Sequence, residues 1–191
     1  MFYYKLIAMK KNNIIFAAGA VVAFGAIALF KPKKYIPEGI EPIKAFDKER
    51  YLGKWYEIAR FDFRFEKGLS NVTAEYSLND NGSIKVVNRG YADKKGKFKE
   101  SVGKAKFVQD DQTAQLKVSF FGPFYAGYNV IAIDPDYKNA LVVGESRDYM
   151  WLLSRDTTMP EDIKKAYLDL AEKHGFDTSQ LVWTEHDPDK V

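Results

Sequence analysis

A chain of 191 residues is long enough for one core-sized domain with an appendage. Its formal charge of +3 is uneven: residues 1–34 hold six lysines and no acid, leaving 23 basic against 26 acidic side chains beyond them. The folded part therefore offers no basic field for nucleic acid, and the complete lack of cysteine excludes a disulfide scaffold, a thiol nucleophile and a cysteine-ligated metal.

Lys5, Lys10 and Lys11 precede an uncharged apolar run at residues 14–30, and Lys31, Lys33 and Lys34 follow it. A basic region before an apolar one describes a signal peptide, with Ala26-Ile27-Ala28 as the small-x-small cleavage site. The run also reaches the short end of a membrane-spanning helix, about 17–25 residues. Cleaved signal and uncleaved anchor both remain open, although the lysines after the run disfavour export and clean cleavage. The chain is accordingly divided into a basic region at 1–13, a signal or apolar anchor helix at 14–30 and a tether at 31–44. A folded domain at 45–187 and a tail at 188–191 complete it. The tether reading rests on Pro32, Pro37, Pro42 and Gly39.

From Trp55 onward the chain reads as a meander of short strands. Val72, Ala74, Tyr76 and Leu78 alternate with polar residues, and Asn79-Asp80-Asn81-Gly82 supplies a hairpin turn because Asn and Gly tolerate positive φ. Further strands are expected at 84–91, 97–108, 113–121, 128–133, 140–145 and 149–154, eight in all with those beginning at Trp55 and Val72. Eight strands at hairpin spacing fit an antiparallel up-and-down barrel just wide enough for one small ligand. At 131–133 and 141–143 the alternation is lost, as expected where both faces are covered. The cover is a C-terminal α-helix on the outside. Thr158-Met159-Pro160-Glu161 reads as its capping box, Ile163, Ala166, Tyr167, Leu170 and Ala171 as its apolar stripe, and Gly175 as its end. Residues 181–183 add a last short strand.

Within this pattern Glu57 shares a strand face with Trp55 and so points inward. A buried carboxylate needs a partner, and Arg89 is the first candidate. Tyr149, Trp151, Leu153 and Arg155 share one parity on the last long strand. Four aromatics flank the turn in Phe120-Phe121-Gly122-Pro123-Phe124-Tyr125, which either covers the barrel or forms an apolar surface for a membrane or partner. Catalytic constellations are missing. His174 and His186 lack metal-like spacing, Gly144-Glu145-Ser146-Arg147-Asp148 lacks the second glycine of a nucleophile elbow, and no phosphate or dinucleotide loop occurs. No enzyme, metal or cofactor is expected.

Three segments share one resemblance. Gly53-Lys54-Trp55 opens the run W-Y-E-I-A-R-F-D, residues 129–143 read N-V-I-A-I-D-P-D-Y-K-N-A-L-V-V, and residues 150–155 read M-W-L-L-S-R. In order and content they resemble the three conserved regions of the lipocalins. Together with V-S-F-F-G-P-F-Y they look like the bacterial subgroup of outer-membrane lipoproteins and apolipoprotein D-like proteins. The resemblance implies that Trp55 plugs the closed end of the barrel, with Arg155 over its ring; Gly53, and by strand parity Glu57 with Arg89 as its partner, are placed near that base. Inward Arg155 implies that Tyr149 and Trp151 line the lumen, and Tyr76, Tyr91, Phe107 and Tyr128 are further lining candidates. Fatty acid or lysophospholipid is the implied ligand, with a role in envelope maintenance or stress and a place at the membrane or exported to the envelope. Relatives in the subgroup carry a lipid-modified cysteine, and this sequence has none. Two rivals stay open. One is an enzyme using Glu57 or a tyrosine as acid or base; the other is a tethered scaffold whose barrel is filled by side chains.

Overall fold

The computed structural model describes residues 33–63 and 66–190. The basic region, the apolar run 14–30 and the first part of the tether lie outside them. Among the described residues no helix is long and apolar enough to cross a membrane.

A short helix α1 (Lys48–Tyr51) leads into strands β1 (Gly53–Phe61), β2 (Leu69–Leu78), β3 (Ile84–Ala92) and β4 (Lys97–Phe107). Then come β5 (Gln115–Phe121), β6 (Phe124–Ile133), β7 (Asn139–Val143) and β8 (Met150–Ser154), followed by helix α2 (Glu161–Lys173) and β9 (Leu181–Trp183). Strands β2 to β8 pair in sequence order and β1 joins both β8 and β2, so eight antiparallel strands close on themselves. Closure removes the unpaired edges that an open sheet of this size would carry. The meander sends the connections after β1, β3, β5 and β7 to one end and those after β2, β4 and β6 to the other.

The closed end is built by α1 and what it touches. Asp47 caps α1, accepting from the amides of Glu49 and Arg50. Tyr51 ends the helix, and its carbonyl accepts from the fully buried Trp55 indole at 2.8 Å. Arg155 lies 3.9 Å from the Trp55 ring centre and donates to the carbonyls of Arg50, Leu52 and Lys54 at 2.7–2.8 Å. One guanidinium thereby covers the indole face and satisfies carbonyls that the end of α1 leaves without helical partners. Gly53 sits at φ +91°, a left-handed conformation that glycine adopts readily, and a Cβ there would stand 3.4 Å from Arg155 Nη1.

Two apolar clusters follow from strand parity. Trp55, Tyr76, Val86, Leu116, Val142 and Leu153 belong to the cluster inside the barrel, whereas Leu141, Val143, Met150 and Leu152 meet Tyr167 and Ala171 of α2 outside. Strand β7 is buried along its whole length for that reason. Helix α2 differs from expectation at its start: Pro160 occupies the N-cap position without a side-chain cap bond, and the Thr158 carbonyl instead accepts from Ser154 Oγ at 3.0 Å. A proline there needs no amide partner, so the helix begins without the capping box. Ala166, placed in the apolar stripe by its spacing, is exposed.

Two irregularities shape the interior. The β1–β8 register shifts between Glu57 and Ala59, so Ile58 and Ala59 both join the cluster under α2. That bulge turns the next side chain, Arg60, into the barrel. On β2 the register shifts between Ser70 and Thr73 around Asn71 at φ +49°, and β9 takes over pairing with Ala59, Arg60 and Phe61.

Candidate binding cavity

A cavity of about 520 Å³ occupies the barrel above the Trp55 plug. Its floor carries Phe46, Tyr51, Tyr76, Leu116 and Tyr128, its walls Val72, Val86 and Leu153, and its mouth Phe120, Phe124 and Tyr149. Such a volume lies within the range of small-molecule sites, about 300–1,000 Å³. At the mouth Tyr149 stacks on Trp151 with ring centres 6.4 Å apart, and Phe63 meets both edge-on at 5.8 Å. Phe121 and Phe124, at the tip of the β5–β6 hairpin, are 72% and 78% exposed. The aromatic turn therefore presents rings to solvent at the rim.

Polar groups are few and concentrated. Arg60 and Glu57 are 1% and 3% exposed, and Arg60 Nη1 donates to Glu57 Oε1 at 2.5 Å. Thr184 Oγ1, brought in by the chain following β9, donates to the same oxygen at 2.6 Å. Arg60 Nη2 donates to the Glu66 carbonyl at 2.8 Å, while Arg60 Nε stands 3.8 Å from Glu66 Oε2 without a hydrogen bond. Trp151 Nε1 donates to Glu66 Oε2 at 3.2 Å. Burial, with the Glu57 carboxylate beside it, pushes the Glu66 carboxyl up to about 8. The buried Arg60 guanidinium thus stands within 4 Å of three acidic side chains, Glu57, Asp62 and Glu66.

Three placements expected from the sequence are corrected here. Arg89 does not reach Glu57 or the base. It points out of β3, its guanidinium 3.9 Å from the Phe98 ring centre, because the inward parity of β3 belongs to Ile84, Val86, Asn88 and Gly90. Tyr91 shares the outward parity and packs edge-on against Phe98 at 5.2 Å, with the Lys190 ammonium over its ring. Phe107 turns inward below the cavity and packs on Phe46 at 6.3 Å, so it does not line the chamber. Glu57 points inward one step above Trp55, as its shared parity predicts, opposite Leu153. Tyr76, Tyr128, Tyr149 and Trp151 do line the cavity. Arg60 and Glu66 were missed; for Arg60 the available signal was Ile58-Ala59, two apolar residues in succession that break the alternation and mark a bulge.

The family profile described as a lipocalin-like domain matches residues 46–186. The chain is a lipocalin. It is 50% identical over 168 residues to the outer membrane lipoprotein Blc of Escherichia coli K12, covering 88% of this chain and 94% of that protein. To mouse apolipoprotein D it is 32% identical over 150 residues, covering 73% and 77% of the two chains. Among solved structures, insecticyanin of the tobacco hornworm Manduca sexta superposes with a TM-score of 0.63 at 19% identity, covering 83% of this chain and 90% of that one. The lipocalin barrel is thus retained where most side chains differ, in keeping with a fold set by strand parity and the plugged base.

Proposed function

We propose that this lipocalin binds a single-chain lipid, a fatty acid or lysophospholipid, in its barrel and stores or carries it in the cell envelope. The observation that carries this reading is the cavity itself: about 520 Å³, walled mainly by aromatic and aliphatic side chains and reached from one end. Apolar walls desolvate an acyl chain, and a small number of fixed polar groups orient its polar end. Glu57 is engaged by Arg60 and Thr184, an arrangement suited to holding the wall of a chamber rather than to moving a proton on a substrate. Binding, not catalysis, is therefore the activity we assign. The relative named an outer membrane lipoprotein supports a place at the envelope, and the apolar run 14–30 supplies a membrane attachment that needs no lipid-modified cysteine.

Titration with palmitic acid or palmitoyl-lysophosphatidylcholine tests the reading. Of the three tryptophans, Trp55 is sealed in the plug, Trp183 is half-exposed outside, and Trp151 faces the cavity. Saturable quenching that disappears in Trp151→Phe is the expected result. A folded protein that binds neither lipid class would refute the proposal. For the attachment, a full-length mass in a carbonate-resistant membrane pellet is expected, and a native chain beginning near Leu29 would show a cleaved signal instead.

A further inference from the structure

The cavity floor carries a hydrogen-bond donor that the protein does not use. The hydroxyls of Tyr51 and Tyr76 each approach that of Tyr128, at 2.6 and 2.8 Å. Burial, the first cause for all three, holds their pKa values well above the ordinary tyrosine value, so each keeps its proton at neutral pH. Three O–H groups thus share two hydrogen bonds. Each bond consumes one proton, so whichever way the hydroxyls rotate, one O–H is left over. Among the described residues none of the three hydroxyls has another hydrogen-bond partner. All three tyrosines line the cavity, and that is where an acceptor for the remaining proton can enter.

Resting on the lipid-binding reading above, we infer that the floor is a carboxyl subsite and that the ligand is an unesterified fatty acid bound carboxyl-first. A carbonyl oxygen at the floor accepts the left-over proton, and the hydroxyl of the neutral acid finds spare lone pairs on the same phenols. A lysophospholipid would place its methyl end there and leave the donor facing a hydrocarbon, a buried mismatch. Arg60 is closed to a carboxylate: its Nη atoms are taken by Glu57, Thr184 and the carbonyls of Glu66 and Leu69, three acidic side chains stand within 4 Å, and it does not line the cavity. Of the lysines that line it, Lys48 pairs with Asp111, and Lys99 is the rival partner for a carboxylate.

The full chain, freed of lipid, is titrated with palmitic acid, hexadecane and palmitoyl-lysophosphatidylcholine, and compared with Tyr51→Phe/Tyr76→Phe/Tyr128→Phe, which keeps every ring. Palmitic acid is expected to bind the variant about tenfold more weakly or worse, with hexadecane affinity unchanged or raised. Carbon-13 NMR of carboxyl-labelled palmitic acid on the unaltered chain gives a second readout that does not depend on the variant folding. Its carboxyl signal should ignore bulk pH from about 4 to 9, whereas a solvated carboxyl titrates near 5. Equal palmitic acid affinity in a folded variant, or a carboxyl signal that follows bulk pH, overturns the subsite and leaves lipid binding standing. Failure of the unaltered chain to bind any of the three overturns both.

Discussion

At the closed end of the barrel the principal charged group is aimed at backbone, with Arg155 bonding the carbonyls around α1 and capping the Trp55 ring. In the half toward the mouth, Glu57, Arg60 and Glu66 are aimed at one another, inside a chamber whose remaining wall is mostly apolar. Backbone carbonyls are permanent acceptors fixed by the fold, so the plug cannot be neutralised by a change of protonation. The upper cluster can be, because three acidic side chains gather round one buried cation. One end is thereby committed to stability, and the other is left responsive to what enters and to pH.

Breaking the plug should have the largest effect. Trp55→Ala removes a fully buried indole and the ring under Arg155, and should cost about 3–5 kcal/mol, lowering the melting temperature on the order of 10 °C. An unchanged melting curve with lost lipid binding would mean that the plug is a ligand contact instead.

The upper cluster should come next. Arg60→Ala strands the buried Glu57 carboxylate without its counter-ion at a cost of about 3 kcal/mol. In Arg60→Met/Glu57→Gln much of the loss should return, because no buried charge is left unpaired at that position. Equal melting of the single and double variants would show that packing, not charge, holds Arg60.

A smaller and signed effect belongs to Glu66. Its carboxyl holds a proton up to about 8 in the folded protein, while the unfolded chain releases it near 4.5. The folded state therefore binds more protons across that window, and stability falls as pH rises from 4.5 to about 8 and then levels. Thermal melts of Glu66→Gln should lose that slope and exceed the unaltered chain most at the alkaline end. A parallel pair of profiles would remove Glu66 from the account.

Arg89 gives the smallest change. Outside the barrel over Phe98, its replacement by alanine should cost under about 1 kcal/mol and leave lipid binding unaltered.

The contrast between the two ends also separates what could be read in the chain from what could not. Alternation in Val72-Thr73-Ala74-Glu75-Tyr76, the turn at residues 79–82 and the stripe on α2 report period and burial directly, so the barrel and its covering helix were legible. Parity also carried Trp151 and Leu153 inward and Met150 and Leu152 outward. It failed at the bulge, where one extra residue after Glu57 exchanged an inward position for an outward one and brought Arg60 inside. On β3 it failed for a plainer reason: the strand begins inward at Ile84, and Arg89 and Tyr91 are an odd number of residues from it. Glu66 lies in a connection after β1, where no periodicity indicates which side chain folds back over the mouth. Register and loop course are set by long-range pairing, and local pattern does not encode them.

The central claim is that the chamber above Trp55 holds a single-chain lipid. Mass spectrometry of the protein gently released from its native membrane, intact and after lipid extraction, tests it most directly. The account predicts about one single-chain lipid per chain, displaced by added palmitic acid and absent from a variant with Leu153→Trp filling the cavity. A folded protein that carries no lipid, or carries the same lipids when the cavity is filled, would contradict it.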